Sequence, residues 1–478
     1  MTRSLTLVAL LVAGWALWVL EGARAGLTIT DMRIGPTPVT HYHGDGPPVV
    51  IAHGFAGSRQ MMQGYATVLA RAGYDVYAFD FEGHGRNRVP MSGDVTRIDG
   101  TTRLLTDQTL AVIGAMPGEG PVALLGHSMA TDILVRAAAE TPRAGPLVLL
   151  SAFSEAITPT HPGNLLLITG AWEPGLREFA SAALRMVDPA AVLGDTAAAG
   201  PVTRRALLAP AAEHVAILHS RPARTAALEW LNAFYGRSQS APVPPTGWAL
   251  LALLAAITAL AIPLMRLLPA SAAPETPLAP RAFALVTLVP AAAAPLLAAP
   301  VDSRLLPVLV ADYLALHLAL FGGLQLALLW RLRGRPAAPA LRGFALLLVW
   351  ALGVFGVALD RYGANFWPTP ERLTVIAALC LGAVPFMLAD AWLARSAPLW
   401  QRIAARLAFL ASLAGAIALD FEGLFFLLMI APVIVLFYVT FGVMGRAAAR
   451  RSGFAGPGLA LGLVLAWALG VSFPLFAA

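Results

Sequence analysis

Lysine is absent from this chain of 478 residues, so all 33 of its basic residues are arginine. Pyridoxal-phosphate chemistry needs a Schiff-base lysine, and the phosphate loop of many nucleotide-binding proteins also depends on a lysine. The missing residue type therefore argues against both kinds of site.

Cysteine and charged residues are also scarce. Cys380 is the only cysteine, so the chain forms no intrachain disulfide and has no cysteine cluster for zinc. Charged residues make up 13% of the chain and hydrophobic residues 58%, whereas about a quarter of a soluble protein is charged. Most of this apolar excess must face lipid. The net charge of +6 comes from scattered arginines without interleaved aromatics, so nucleic acid is not a predicted partner.

Composition divides the chain into a globular domain at 27–237, a linker at 238–245 and an apolar domain at 246–478. Ahead of the globular domain, residues 1–26 contain Arg3 and a long apolar run, which is typical of a secretory signal or an uncleaved anchor. Both alternatives remain open, because residues 23–25 form an acceptable cleavage site. Either one exports the domain that follows.

The apolar domain is predicted to be an all-α transmembrane domain of about eight helices. A bilayer core of about 30 Å needs roughly 20 helical residues. The second and sixth apolar stretches fit this length least well, since one contains Pro290 and Pro295 and the other is short. The eight stretches lie at about 246–266, 283–299, 305–330, 343–359, 373–394, 407–419, 423–444 and 455–476.

The distribution of arginine predicts the orientation of these helices. Placing the globular domain outside makes alternate loops cytoplasmic, and those loops hold twelve arginines against three in the intervening loops. This bias agrees with the N-terminal segment and predicts an integral protein of a bacterial-type cytoplasmic membrane, with the globular domain on the periplasmic side. The twelve are Arg266, Arg281, Arg331, Arg333, Arg335, Arg342, Arg395, Arg402, Arg406, Arg446, Arg450 and Arg451, and the three are Arg304, Arg361 and Arg372.

Two further groups lie in the apolar domain. Tyr362, Phe366 and Trp367 are interpreted as an interfacial aromatic belt. Asp312 and His317 lie inside a predicted span, where ionisable groups are costly. Contacts with a neighbouring helix and a role in transport or proton relay are the alternatives for this pair.

The globular domain alternates short apolar runs with longer helical segments, which is typical of a parallel sheet covered by helices. The segment GHSMA at 126–130 follows such a run and precedes an amphipathic helix. A sharp turn from strand to helix would lift Ser128 clear of the sheet, and Gly126 would relieve crowding there. This segment resembles the Gly-x-Ser-x-Gly motif of the α/β-hydrolases, with Ala130 in the last position. The candidate strands are 48–52, 75–80, 122–125, 147–151, 165–169 and 206–208.

The segment HGFAGS at 53–58 follows the first of these strands and resembles the oxyanion loop of the same family. The resemblance implies that the backbone N–H groups of Phe55 and Met129 form an oxyanion hole. Residues 80–85 resemble the family's Asp-x-x-Gly-His-Gly turn, which implies a structural role for His84.

The nucleophile needs a base and an orienting acid, which follow the serine in the chain order of this family. Glu173, shortly after strand 165–169, matches the position of the acid, and Asp188 and Asp195 are its alternatives. His214 lies in a loop between the terminal strand and the last helix of the domain, and His219 is its alternative.

The resemblance covers about 47–237 and is to monoglyceride-lipase-like and serine-aminopeptidase-like α/β-hydrolases. It implies a mostly parallel sheet with flanking helices. The interval 151–165 is too short for a large lid domain, so an open site is expected. Its roof is expected to be the membrane surface or the loop that contains Phe153, Ile157 and His161.

These observations predict a membrane-bound serine hydrolase that cleaves an ester or related acyl bond, with neither cofactor nor metal. A small-molecule or lipid-like acyl compound is the expected substrate, and membrane lipids are the expected surroundings. One alternative is an exported peptidase or acyltransferase with the same triad, and another is a ligand-binding transporter or sensor.

Overall fold

A sheet of nine strands organises the globular domain in this computed structural model, which describes residues 2–94, 98–270, 276–301, 305–335 and 338–477. The strand order is β1-β2-β4-β3-β5-β6-β7-β9-β8. Strands β4, β3, β5, β6, β7 and β9 run parallel, whereas β1, β2 and β8 pair antiparallel at the two edges. The strands are β1 Ile29–Ile34, β2 Thr37–Tyr42, β3 Pro48–Ala52, β4 Asp75–Phe79, β5 Val122–His127, β6 Ala144–Leu150, β7 Asn164–Gly170, β8 Thr196–Ala199 and β9 Val202–Ala209.

Helices cover both faces of this sheet, because successive side chains of a strand point to opposite sides and both sides are apolar here. In β3, Val50 lies in the core on one face, and Val49 and Ile51 lie in the core on the other. The N-terminal helix, α1, is Thr2–Arg24. The helices that cover the sheet are α2 Gln63–Arg71, α3 Arg103–Gly114, α4 Met129–Glu140, α5 Pro174–Arg185 and α6 Arg221–Tyr235.

The predicted sheet with flanking helices is confirmed, and all six predicted strands are present. The strand at 48–52 has the predicted bounds, and the other five have shifted ends. The sequence interpretation missed β1, β2 and β8. β1 and β8 are the two edge strands, and most of their residues are exposed, so they lack the apolar pattern that marks a buried strand. β2 lies between β1 and β4 and is mostly buried, but Val39 is its only aliphatic residue apart from Pro38.

Nine helices in the described part of the chain are long and apolar enough to cross a membrane, and eight of them follow the linker. The predicted number of about eight is therefore matched, including the two stretches that fit least well. Arg304 lies outside the described residues. The candidate spans are Arg3–Arg24, Thr246–Met265, Pro280–Ala298, Ala311–Arg333, Leu341–Tyr362, Pro370–Ser396, Leu399–Leu419, Leu427–Ser452 and Ala455–Ser472.

Two of these spans contain irregular turns. The first comprises α10 and α11, which are joined through a π-helical segment at Val349–Phe355, and the second is interrupted at Thr440 between α15 and α16. The helices are α7 Thr246–Met265, α8 Pro280–Ala298, α9 Ala311–Arg333, α10 Leu341–Leu348, α11 Gly356–Tyr362, α12 Pro370–Ser396, α13 Leu399–Leu419, α14 Phe421–Leu424, α15 Leu427–Val439, α16 Phe441–Ser452 and α17 Ala455–Ser472.

The N-terminal helix packs into the helical domain. Ala16, Val19 and Leu20 of α1 lie in the same buried cluster as residues of α7. At the end of α1, the carboxylate of Glu21 accepts hydrogen bonds from Arg361 Nε at 2.7 Å and from the hydroxyl of Tyr362. Helix α1 therefore packs together with the eight candidate spans that follow the linker.

The polar and aromatic residues singled out in the apolar domain have internal partners. Tyr362 and Phe366 are buried, so interpreting them as an interfacial belt was wrong; they pack inside the bundle. Asp312 accepts a hydrogen bond from the backbone N–H of Leu306 at 3.0 Å. The buried ring of His317 lies within hydrogen-bond distance of the hydroxyls of Tyr313 and Ser412, at 3.0 and 3.1 Å.

Loops after the carboxyl ends of β3 and β4 contact the helical domain. The hydroxyl of Ser58 accepts a hydrogen bond from the backbone N–H of Asn365 at 3.0 Å. Arg86 Nη2 lies 2.5 Å from Asp360 Oδ2 in an ion pair. The edge of the sheet where its parallel strands end therefore faces the helical domain.

The segment after α17 joins the two domains. The backbone N–H of Leu475 donates to the carbonyl of Gly83 at 2.9 Å, and the carbonyl of Leu475 accepts from the N–H of Met91 at 2.8 Å. Phe476 is buried in the core of the globular domain together with residues of α3 and α4. The two ends of the chain thus pack against both domains.

Arg372, in the first turn of α12, lies at the centre of this contact. Its Nη2 donates to the carbonyl of Gly83 at 2.7 Å, and its Nη1 donates to the carbonyls of Gly470, at 3.1 Å, and Phe473. The side chain is only 1% exposed. One guanidinium therefore connects the turn after β4 to the end of α17.

We expect Arg372→Leu to weaken this contact, because it leaves buried carbonyls without a donor, at a cost of about 1–3 kcal/mol for a buried unsatisfied group. Thermal unfolding in detergent and proteolysis at the linker 238–245 would measure the loss. Arg88→Ala is the matched control, since Arg88 forms an exposed ion pair with Glu371 in the same interface and such pairs contribute little. Equal melting temperatures for the two variants would contradict the role of Arg372.

Candidate active site

Ser128 lies at a sharp turn between β5 and α4. Its φ of 54° and ψ of −119° fall outside the regions that side chains ordinarily favour. Close packing of the strand and the helix requires Gly126, because a Cβ there would lie 2.6 Å from Leu134 Cδ1 and 3.2 Å from Ala130 Cβ. The predicted turn is present, and it aims the serine away from the sheet.

The fold brings Ser128, His214 and Glu173 together from three loops at one edge of the sheet. His214 Nε2 lies 2.8 Å from Ser128 Oγ, and His214 Nδ1 lies 2.6 Å from Glu173 Oε1. Along the chain, Glu173 is 41 positions and Ser128 is 86 positions away from His214. The side chain of His214 is 44% exposed and that of Glu173 is 7% exposed, so solvent reaches the imidazole and not the carboxylate.

Three donors hold the carboxylate of Glu173. Besides His214, the backbone N–H of Gly170 and the hydroxyl of Ser151 donate to its Oε2, each at 2.7 Å. Burial acts to raise the pKa of Glu173, but hydrogen bonds from His214, Ser151 and Gly170 together keep this pKa below its ordinary value. Glu173 is therefore ionised at neutral pH. The sequence interpretation did not identify Ser151, which follows β6 and carries no motif of its own.

The two predicted oxyanion donors flank Ser128. Met129 is the first residue of α4, where backbone N–H groups have no acceptor within the helix and the helix dipole is positive. The loop with Phe55 passes close to the nucleophile, because a Cβ on Gly54 would lie 3.0 Å from Ser128 Cβ. Only glycine permits this approach.

Residues 47–188 match the sequence profile of a family described as "Serine aminopeptidase, S33". The matched segment contains β3 to β7, the turn at Ser128 and the loop with Glu173, whereas His214 lies beyond it. The strand order of the globular domain and its turn from strand to helix at Ser128 are typical of one fold. The globular domain has the α/β-hydrolase fold.

Several solved structures are similar to this chain. Dienelactone hydrolase from Anabaena variabilis is 19% identical, with 44% of this chain and 96% of that chain covered and a TM-score of 0.33. A bacterial membrane phospholipase A is 15% identical, with 48% and 92% covered and a TM-score of 0.35. A thermophilic esterase from Thermogutta terrifontis is 15% identical, with 44% and 99% covered and a TM-score of 0.33. No curated protein matches this chain.

His127 joins two loops of the α/β-hydrolase site. Burial, with a smaller contribution from the charge of His214, lowers the pKa of His127 to about 4, so its ring is neutral at neutral pH. The proton on Nε2 is donated to the backbone carbonyl of His214 at 2.7 Å. The other ring nitrogen lies against Gly54, where a Cβ would approach it to 2.9 Å. His127 thus contacts both the loop of His214 and the loop of Gly54.

The alternative residues lie elsewhere in the hydrolase domain. Asp188 and Asp195 are exposed and accept hydrogen bonds from the backbone of their own turns, both at 2.9 Å. His219 packs against the start of α7, where a Cβ on Gly247 would lie 2.5 Å from the His219 Cβ. His84 is buried beside Phe55, and burial holds the pKa of its ring well below the ordinary value.

A cavity of about 400 Å³ opens beside Ser128 and His214. Its roof differs from the expected one: residues 98–105, between β4 and the first turn of α3, line it together with Phe153. The prediction was wrong for Ile157, which is buried in the core, and for His161, whose Nε2 lies 3.0 Å from the carbonyl of Val135. Apolar atoms form most of the cavity wall, and they come mainly from Ile98, Leu105, Met129, Ile133, Phe153 and Leu176. The charged side chains of Asp132, Arg136 and Glu155 also line it.

The described residues contain no group of three His, Cys, Asp or Glu side chains with the spacing of a metal site. The side chains beside Ser128 are instead those of acid–base and nucleophilic chemistry.

We expect Gly170→Ala to distort the loop of the acid. Its Cβ would lie 2.6 Å from the carbonyl of Ala212 and 2.8 Å from Glu173 Oε2, and overpacking of this kind costs about 1–3 kcal/mol. A lower melting temperature of the purified protein is the expected result. Gly175→Ala is the control, since a Cβ there meets nothing within 4 Å. Equal melting temperatures would contradict this account of the loop.

Proposed function

We propose that this protein is a membrane-bound serine hydrolase that cleaves an ester or related acyl bond through an acyl-enzyme. The observation that carries the proposal is the hydrogen-bonded chain from Ser128 through His214 to Glu173, beside the loop of Phe55. A hydroxyl becomes an effective nucleophile when a neighbouring base takes its proton and a third group orients that base. Glu173 fits this third role, because its donors keep it ionised.

Acylation begins when His214 Nε2 accepts the proton of Ser128 and the serine Oγ attacks the carbonyl carbon. The negative charge moves to the carbonyl oxygen, where the N–H groups of Phe55 and Met129 stabilise it. When this intermediate collapses, the bond from carbon to the leaving oxygen breaks, and the imidazolium of His214 gives its proton to the departing alcohol. Ser128 then carries the acyl group as an ester.

Deacylation repeats these steps with water. His214 takes a proton from water as the water oxygen attacks the acyl carbon, and the collapse of the second intermediate returns that proton to Ser128. The carboxylic acid leaves and the site is regenerated. The side chains of this chain supply every proton transfer, so the proposed reaction needs no cofactor.

A peptidase is the second candidate, and Glu155 favours it. This exposed carboxylate lines the otherwise mostly apolar cavity, and no described residue donates a hydrogen bond to it. A carboxylate in that position is suited to binding a substrate ammonium group. Rates on esters and on aminoacyl amides, with and without an acceptor alcohol, distinguish an esterase from a peptidase and from an acyltransferase.

The proposal places the hydrolase domain on the extracytoplasmic side of the membrane. The bias of twelve arginines to three between alternate loops supports this side. Packing of α1 into the bundle supports a chain that keeps its N-terminal helix as an anchor.

We expect Ser128→Ala and His214→Ala each to lower ester turnover by at least about a thousandfold, because members of a triad act as a unit. Hydrolysis of a chromogenic ester by the purified protein measures this. Glu173→Gln is expected to be milder than either. Asp188→Asn and Asp195→Asn are matched controls, and greater damage from either of them than from Glu173→Gln would move the acid to that residue. Wild-type turnover in Ser128→Ala would contradict the proposed nucleophile.

The placement of the domain has its own test. A membrane-impermeant fluorophosphonate, added to cells whose outer barrier has been permeabilised, is expected to label the wild type and not Ser128→Ala. The open cavity beside Ser128 admits such a reagent. Labelling only after lysis of the inner membrane would assign the domain to the cytoplasm. An absence of labelling with folded protein under both conditions would favour a ligand-binding transporter or sensor.

A further inference from the structure

The helical domain contributes an aromatic ring to the surroundings of the proposed oxyanion hole. Phe426, just before α15, packs against Phe55 with ring centroids 5.7 Å apart. Phe55 follows Gly54, which lies against the nucleophile. A residue next to two predicted membrane spans thus contacts the residue whose N–H is proposed to stabilise the oxyanion.

Phe426 is one end of a series of rings. It lies 6.0 Å from the ring of Phe425, which in turn lies 5.6 Å from the ring of Phe421. We call Phe421, Phe425, Phe426 and Phe55 the aromatic row. It runs from the connection between the spans Leu399–Leu419 and Leu427–Ser452 to the loop beside Ser128.

The outer end of the aromatic row is open to its surroundings. Phe421 is 61% exposed and Phe425 is 44% exposed. Exposure of large apolar side chains to water is unfavourable, because burying their surface lowers the free energy. Exposed phenylalanine rings beside the ends of two candidate spans are suited to burial at the boundary between lipid headgroups and acyl chains. The row therefore leads from the bilayer interface to the hydrolase site.

Two acidic residues lie at the outer end of the row, Asp420 and the exposed Glu422. Asp420, ahead of the row, uses its carboxylate to accept a hydrogen bond from the N–H of Gly423 at 2.9 Å, so it caps the short helix α14. The rings are bordered by the apolar residues of α15, including the exposed Leu428 and Met429. An aliphatic chain fits such a surface, and the row ends at Phe55, next to the Gly54 that lies against Ser128.

We propose that the substrate is a long-chain acyl ester resident in the bilayer, and that its acyl part reaches Ser128 along the aromatic row. This inference rests on the proposed serine hydrolase function and specifies its substrate class. The helical domain then forms part of the substrate-binding surface in addition to anchoring the enzyme. A water-soluble substrate would need neither exposed rings at the membrane boundary nor a contact between the spans and the oxyanion loop.

The test compares two esters with the same leaving group. Purified full-length protein is reconstituted in vesicles of dioleoyl phosphatidylcholine and given 4-methylumbelliferyl oleate in the bilayer or 4-methylumbelliferyl acetate in water. Because the fluorescent alcohol is identical, the ratio of the oleate rate to the acetate rate measures the preference of the enzyme for a long acyl chain over a short one.

Phe421→Ala and Phe425→Ala are the test variants, since both side chains are exposed and contribute little to the core. Each is expected to lower the ratio of oleate to acetate rates by about tenfold, which corresponds to roughly 1.4 kcal/mol of lost contact with the chain. Phe425→Leu keeps an apolar side chain and is expected to restore most of the ratio. Trp18→Ala is the matched control: Trp18 is 75% exposed on α1 and lies outside the row.

A wild-type ratio in both alanine variants, with acetate hydrolysis that still depends on Ser128, would contradict the role of the aromatic row in substrate binding. The proposed serine hydrolase function would be unaffected by that result. An equal fall in the ratio for Trp18→Ala would also overturn it, because the effect would then be a general property of exposed aromatics. Failure of the wild type to cleave either ester would overturn the proposed function itself.

Discussion

The guanidinium of Arg372 is buried, and it donates to carbonyls of both domains: Gly83 on one side, and Gly470 and Phe473 on the other. The last carbonyls of a helix lack donors within the helix, so the end of α17 offers acceptors that an arginine can use. The turn after β4 offers a third. Because this turn lies beside the oxyanion loop, the same contact sets how the catalytic edge of the sheet faces the helical bundle.

Close packing produces the local geometry of the site. Parallel strands end at one edge of a sheet, and the loops there carry Ser128, Glu173 and His214. Gly126, Gly54 and Gly170 each stand where a Cβ would approach another atom to 3.0 Å or less. These three glycines hold the turn of Ser128, the oxyanion loop and the loop of Glu173 in contact. The triad geometry is thus a property of the packed domain, with Ser151 and His127 as its hydrogen-bonded supports.

The helical domain contacts the hydrolase domain at many points besides the linker. Arg86 pairs with Asp360, Ser58 accepts from Asn365, and the segment after α17 pairs with Met91 and buries Phe476 in the hydrolase core. A domain attached only by a flexible linker would lack such contacts. The helical domain also contacts the loop after β3, through Phe426 and Phe55.

Local features of the sequence were sufficient to predict the elements and to select Ser128, Glu173 and His214, which the fold brings within hydrogen-bond distance. Apolar runs mark buried strands and spans because burial is encoded in the residues of the segment itself, and a turn from strand to helix is encoded within five residues. The edge strands β1 and β8 were missed because most of their residues are exposed, and β2 was missed because its residues are largely polar although it is mostly buried. Ser151, the roof at 98–105, the burial of Tyr362 and Phe366, and the contact of Phe55 with Phe426 were decided by tertiary structure alone. Each depends on which distant segments pack together. The pattern of apolar residues in one segment does not indicate which other segment packs against it.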